Sequence, residues 1–184
     1  MRHLIDAYAP AEMAQRVLKV GVAKAKLPMA DSLILAVMAG AFIGLGAAFA
    51  TLTTTGSPMG FGPTRVLGGV AFSLGLILVV VAGAELFTGN NLVAMAWASR
   101  QIKTRQVARN WILVYLGNFV GSVGTALLVF WSGTLALGDN AVAINAIQIA
   151  AAKVELGWFE AFVRGILCNA LVCLAVWLCN SARS

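Results

Sequence analysis

Charge is scarce in this sequence. Only 11% of its 184 residues are Asp, Glu, Lys or Arg, against about 25% in a soluble domain. That scarcity excludes an ordinary soluble fold, whose surface has to be wetted. Histidine occurs once, as His3 at the N-terminus, where no specific role is expected. Cysteine is limited to Cys168, Cys173 and Cys179, all in one apolar stretch without a CxxC spacing. Neither a metal site nor a catalytic cluster is expected from such a set, and a buried cysteine behaves as a small hydrophobe. There is no nucleophile paired with a base and no cofactor fingerprint. The chain therefore reads as a non-enzyme without metal or cofactor. Residues 1–30 lack an apolar core and contain Arg16, Lys19, Lys24 and Lys26, so no cleavable signal peptide is expected.

Apolar sequence dominates: 60% of the residues are hydrophobic and the mean hydropathy is +0.89. A membrane-crossing helix needs about 20 mostly apolar residues, and four runs qualify. They cover about 32–52, 66–98, 111–131 and 158–178, the second broken near 85–90. The expectation is an all-α membrane protein with a lipid bilayer as its solvent. Its parts are a cytoplasmic amphipathic segment over 1–31 and a transmembrane domain over 32–184. Met13, Val17, Val20 and Ala23 or Lys24 share a helical face over Ala11–Ala25, read as lying on the inner membrane surface, with Pro28 ending that helix. A further short apolar run, Ala141–Ala152, reads as an interfacial helix. Gly40 with Gly44, and Gly117 with Gly121, form GxxxG pairs that let another helix approach closely.

The formal charge of +6 fits the membrane reading better than nucleic-acid binding. Basic residues gather in cytoplasmic loops. With the N-terminus inside, Arg2, Arg16, Lys19, Lys24, Lys26, Arg100, Lys103, Arg105, Arg109 and Arg183 fall on the inner side. Only Arg65 and Lys153 fall outside, and Arg164 lies within the last span. Both termini are then cytoplasmic.

The second run is interrupted by Gly83-Ala84-Glu85-Leu86-Phe87-Thr88-Gly89-Asn90-Asn91. Irregular backbone at membrane depth survives only when buried in protein or facing a wet cavity. A broken helix also turns a partly positive N-terminus toward whatever sits there, a recurring way to hold an anion. Gly83 and Gly89 permit unusual dihedrals, and Thr88 offers a hydroxyl. A packing kink or a plain short loop is the alternative. Glu85 reads as structural, accepting N–H groups of the broken backbone, because a carboxylate facing the path would repel an anion. Glu160 and Arg164, four apart on one helical face, read as an ion pair within the protomer or between subunits. Asn169 could bond a neighbouring helix or line a pore.

These residues carry a resemblance. Gly83–Gly89 resembles the first signature of the formate–nitrite transporter family, and Gly165–Ala175 the second. Ala39–Ile43, Phe72–Gly75, Asn110-Trp111 and Gly117–Gly121 agree in order, so the likeness runs from about Pro10 onward. It implies an aquaporin-like fold of six spans in inverted halves, assembled as a homopentamer in the cell inner (plasma) membrane. Each protomer would pass a small monovalent anion, formate or nitrite, as a channel or proton-coupled carrier. The resemblance also implies residue roles. Leu86, Phe87 and Thr88 form an Ω-shaped gate, Phe72, Leu76 and Val172 narrow the pore, and Asn169 lines it. Lys153 attracts the anion from outside, where the residues alone suggest an ordinary surface lysine. The family's fifth span, with its pore histidine, and its sixth have no counterpart here. On that ground the chain is expected to be a fragment or truncated product that conducts nothing unaided.

Overall fold

The computed structural model describes residues 8–182, so Arg2, His3 and Arg183 lie outside the described residues. The elements are α1 (Pro10–Lys26), α2 (Met29–Thr54), α3 (Phe61–Val81), α4 (Phe87–Asn90), α5 (Val93–Ala98), α6 (Thr104–Trp131), α7 (Ala141–Val154) and α8 (Trp158–Ser181). A 3₁₀ turn over Thr134–Ala136 precedes α7. Four of these, α2, α3, α6 and α8, are long and apolar enough to cross a membrane. The chain is an all-α, multi-pass membrane protein.

The spans are longer than hydropathy alone suggests, and two of the extensions have a local cause. Helix α3 begins at Phe61 rather than 66, because Pro63 sits in its first turn, where a missing N–H costs nothing. Helix α6 begins at Thr104 rather than 111. There the Gln106 side-chain oxygen accepts the Lys103 N–H at 2.8 Å, and Arg105, Gln106, Ala108 and Arg109 of the basic stretch are good helix formers. Leu27 is extended, as a residue before proline must be, so Leu27-Pro28 separates α1 from α2. The 141–152 run is a helix, two residues longer.

The two GxxxG pairs meet each other. A methyl group on Gly40 would collide with the backbone of Asn118, and one on Gly121 with the Val37 carbonyl. A Cβ on Gly44 would lie 2.9 Å from that of Thr125. Helices α2 and α6 therefore cross with backbones nearly touching. Gly46 and Gly75 bring α3 onto another side of α2 in the same way. Lipid tails are as apolar as the side chains, so this close packing, rather than burial from water, holds the spans together.

Helix α1 is part of this body. Its buried stripe is Met13, Val17, Leu18, Gly21 and Ala25, turned from the expected one, and Ala23 is exposed. Leu18 and Ala25 join Val93, Ala96, Ile102 and Val107 in one apolar cluster. The apolar side of α1 thus faces α5 and α6 rather than lipid. Helix α8 is the least covered span, with no fully buried residue among those described.

Candidate functional site

The interruption of the second apolar run is real, but it lies earlier than expected. Helix α3 ends at Val81, residues 82–86 are non-helical, and Phe87 and Thr88 open the short helix α4. The cause is Gly83, whose φ of +65° is left-handed. With it the Ala84 N–H turns back to the Val79 carbonyl at 2.9 Å, closing the helix. Gly89, expected to share that role, is helical. The run from α3 to α5 is therefore one full span followed by two short helices.

A broken chain must find partners for its backbone groups, and the partners here come from two neighbouring helices. The Glu85 N–H donates to the Leu35 carbonyl of α2 at 3.2 Å. Asn118 of α6 takes two more of these groups and ties them to α2. Its Oδ1 accepts the Phe87 N–H at 2.8 Å, while its Nδ2 donates to the Glu85 carbonyl at 2.9 Å and the Ala36 carbonyl at 2.8 Å. Phe87 then packs edge-on against Tyr115, with ring centroids 5.5 Å apart, and against Trp111 at 6.5 Å.

Glu85 does not cap backbone groups as the sequence suggests; side chains take its carboxylate. Its Oε1 lies 2.6 Å from Lys24 Nζ of α1, and its Oε2 accepts from Asn90 Nδ2 at 2.6 Å. The Glu85 side chain is 3% exposed and that of Lys24 26%. Asn90 is used up entirely. Its Nδ2 also donates to Asn110 Oδ1 at 3.1 Å, its Oδ1 accepts from Lys24 at 3.1 Å, and its carbonyl accepts from Trp111 Nε1 at 3.1 Å. Asn110 Nδ2 reaches the Lys24 carbonyl at 3.4 Å. A buried, charge-neutral node thus ties α1, the break and α6.

On its other side α4 rests on α8. Cys173 Sγ donates to the Thr88 carbonyl at 3.3 Å, and Asn91 Nδ2 donates to Asn169 Oδ1 at 2.5 Å. Of the two readings of Asn169, the bond to a neighbouring element is the one visible here. Its own Nδ2 is turned to the Gly165 carbonyl at 2.9 Å.

The remaining expected residues are more dispersed. Leu86 packs on the cluster of Ala39, Val79 and Ala84 with Phe42 and Ile43. Phe72 is exposed and Leu76 half-buried on α3, and Val172 is half-buried on α8. Lys153 is exposed in the last turn of α7, with no hydrogen bond or ion pair to the break among the described residues. Glu160 and Arg164 pair at 2.5 Å on the exposed face of α8. A cavity of about 270 Å³ opens beside the break, lined by Lys24, Glu85, Leu86, Asn90, Val176 and Asn180 among others. Of the expected path residues only Leu86 borders it. No cluster of metal-ligating side chains occurs among the described residues.

Lys24, Asn110 and Asn118 are the site residues that sequence reasoning passes over, while Asn90 is read only as part of the interruption. Asn110 and Asn118 fall in the resembling stretches Asn110-Trp111 and Gly117–Gly121, and an amide on an apolar helix is itself a signal. Lys24 carries no such mark among the basic residues of α1.

Apolar spans around an interrupted helix, with polar groups gathered at the interruption, define a helical membrane protein of the channel and transporter kind. The chain belongs to the formate/nitrite transporter family, whose model matches residues 11–184. It is 43% identical over 180 residues to the formate channel FocA of Escherichia coli K12, covering 97% of this chain and 63% of that one. The chain thus spans less than two thirds of that relative's length. Among solved structures it resembles a pentameric formate channel with formate bound, at TM-score 0.80 and 43% identity, covering 85% of this chain and 62% of that one. It also resembles an FNT family ion channel, at TM-score 0.79 and 30% identity, covering 91% and 68%.

Proposed function

We propose that this protein contributes to the passage of formate across the cell inner membrane, as a channel or proton-coupled carrier, in a homopentamer. The observation that carries the proposal is the interruption at 82–86, followed by Phe87 and Thr88 held by α6 and α8, in a chain 43% identical to a formate channel. Leu86, Phe87 and Thr88 form the constriction, with the Thr88 hydroxyl as a hydrogen-bonding group for the anion. Phe72, Leu76 and Val172 supply apolar narrowing, Asn169 borders the path, and Lys153 raises the anion concentration at the outer mouth. The N-terminus and α1 lie on the cytoplasmic side, supported by the basic residues of α1 and of the α5–α6 connection.

The test is uptake of labelled formate by liposomes containing a full-length version of the protein that carries the family's fifth and sixth spans, because residues 1–184 unaided are expected to conduct nothing. Saturable uptake above that of protein-free liposomes is expected, with nitrite competing because a small anion offers few contacts for discrimination. Formate uptake equal to that of protein-free liposomes would refute the proposal. Uptake of nitrite without formate would move the substrate to the other anion of the family's description.

A further inference from the structure

We infer that Asn118 is the positioning residue of the constriction: one side-chain amide on α6 fixes where the chain restarts after the break. Three observations carry this. First, the amide binds on both sides of Leu86, accepting from Phe87 N–H at 2.8 Å and donating to the Glu85 carbonyl at 2.9 Å. It thereby stands in for helical hydrogen bonds that residues 85–87 have given up. Second, its other Nδ2 hydrogen reaches the Ala36 carbonyl at 2.8 Å. All three bonds suit one amide orientation, with oxygen toward an N–H and nitrogen toward two carbonyls. Third, the reach of Asn118 depends on the glycine crossing, since a methyl on Gly40 would collide with the Asn118 backbone. The small-residue crossing, the amide and the break form one mechanical chain from α2 to Phe87 and Thr88.

Asparagine meets these needs where its neighbours in chemistry do not. Aspartate offers no donor to the two carbonyls and would bring a charge against them. Leucine would leave the Phe87 N–H and the Glu85 carbonyl without this partner in a low-dielectric place, where an unmade bond is costly. Glutamine keeps the amide but adds a methylene, displacing the restart of the chain. In the proposed transport Asn118 touches no anion; it acts through the position of Leu86, Phe87 and Thr88, and to that extent the inference rests on the transport reading.

The experiment has two arms, the first on this chain and the second on the full-length version that carries the family's fifth and sixth spans. Amide hydrogen exchange in detergent micelles reads the break without any transport. Asn118→Ala is expected to speed exchange of the Phe87 amide about tenfold, equivalent to about 1.4 kcal/mol, with α2 and the rest of α6 unchanged. Ser122→Ala is the control. Its hydroxyl donates to the Asn118 and Phe119 carbonyls of its own helix, and it should leave Phe87 exchange unchanged. The second arm compares formate with acetate uptake into liposomes. Asn118→Gln, which preserves the amide and assembly, is expected to change the formate-to-acetate ratio threefold or more. If Asn118→Ala raised exchange uniformly along α2 and α6, or left Phe87 unchanged, the positioning role would be overturned. An unchanged ratio with Asn118→Gln, in a protein that carries formate, would do the same. Failure of the unsubstituted protein to carry formate refutes the transport proposal instead, and the exchange arm still decides the role of Asn118.

Discussion

Removing Lys24 and removing Glu85 should have unequal costs, although they are partners in one ion pair. Lys24→Met leaves a carboxylate 3% exposed, with Asn90 Nδ2 as its remaining partner at 2.6 Å. Stranding one member of a buried pair typically costs about 3–5 kcal/mol. The lysine side chain is 26% exposed, so solvent already screens part of the attraction, and about 2–3 kcal/mol is the expected loss after that discount. Glu85→Gln leaves the lysine able to turn toward water, and the glutamine oxygen can accept from Lys24 or from Asn90 Nδ2 in place of the two carboxylate oxygens that accept from both. About 1 kcal/mol is expected, the net worth of a hydrogen bond. The double variant removes both charges, and its cost should fall short of the sum by about 1–2 kcal/mol, as expected for groups in direct contact. The assay is reversible unfolding in mixed micelles of rising denaturing-detergent content, followed by far-ultraviolet circular dichroism. Additive losses in the double variant would refute the coupling. A Glu85→Gln loss larger than that of Lys24→Met would refute the burial argument, since it would mean that the cation is the costlier group to strand.

Further outcomes follow from the same geometry. Gly121→Val places three extra carbons against the Val37 carbonyl; overpacking of this kind costs about 1–3 kcal/mol or more, so the variant should unfold at lower denaturant, whereas Gly124→Val, at an open position, should not. In the full-length version, Thr88→Val keeps the volume and deletes the hydroxyl, so formate uptake into liposomes should fall while the amount of folded protein stays the same. Lys153→Ala, again in the full-length version, should reduce uptake mainly at low anion concentration and low ionic strength, because steering by an exposed charge fades once the Debye length shrinks below about 10 Å; an equal loss at high and low salt would refute steering.

The spans and the small-residue contacts were legible in the sequence because both are local patterns. An apolar run declares a span by its length, and Gly40, Gly44, Gly117 and Gly121 declare close-approach faces by their spacing. That these faces meet each other was not legible, since nothing local says which helix comes near. The break was legible as an interruption but misplaced. Gly83 and Gly89 look alike in sequence, and only Gly83 adopts the left-handed conformation that ends α3. The partners of the break were the least legible part. Lys24 and Asn118 lie 61 and 33 residues from Glu85, and a broken backbone takes its hydrogen bonds from whichever helices the fold brings alongside.

The node around Glu85 resolves a conflict that the sequence poses for an anion path. A lone carboxylate about 6 Å from a passing anion would raise its energy by about 3 kcal/mol at an effective dielectric of about 20. At about 1.4 kcal/mol per factor of ten, that lowers occupancy of the path by roughly a hundredfold. Here the carboxylate is neutralised at 2.6 Å by Lys24, and its second oxygen is bonded to Asn90. What remains is a dipole whose positive end lies on the α1 side, where Lys24, Glu85 and Asn90 all line the cavity beside the break. The pair thus makes a buried acid compatible with the proposed substrate and fastens α1 to the residues just before the constriction. Any change that withdraws α1 from the break would also expose the anion to an unpaired carboxylate. Packing of α1 and permeability to anions should therefore vary together: in Lys24→Met of the full-length version, residual formate uptake should fall more steeply than the fraction of folded protein, and a parallel fall in the two would show that the charge of Glu85 is not felt along the path.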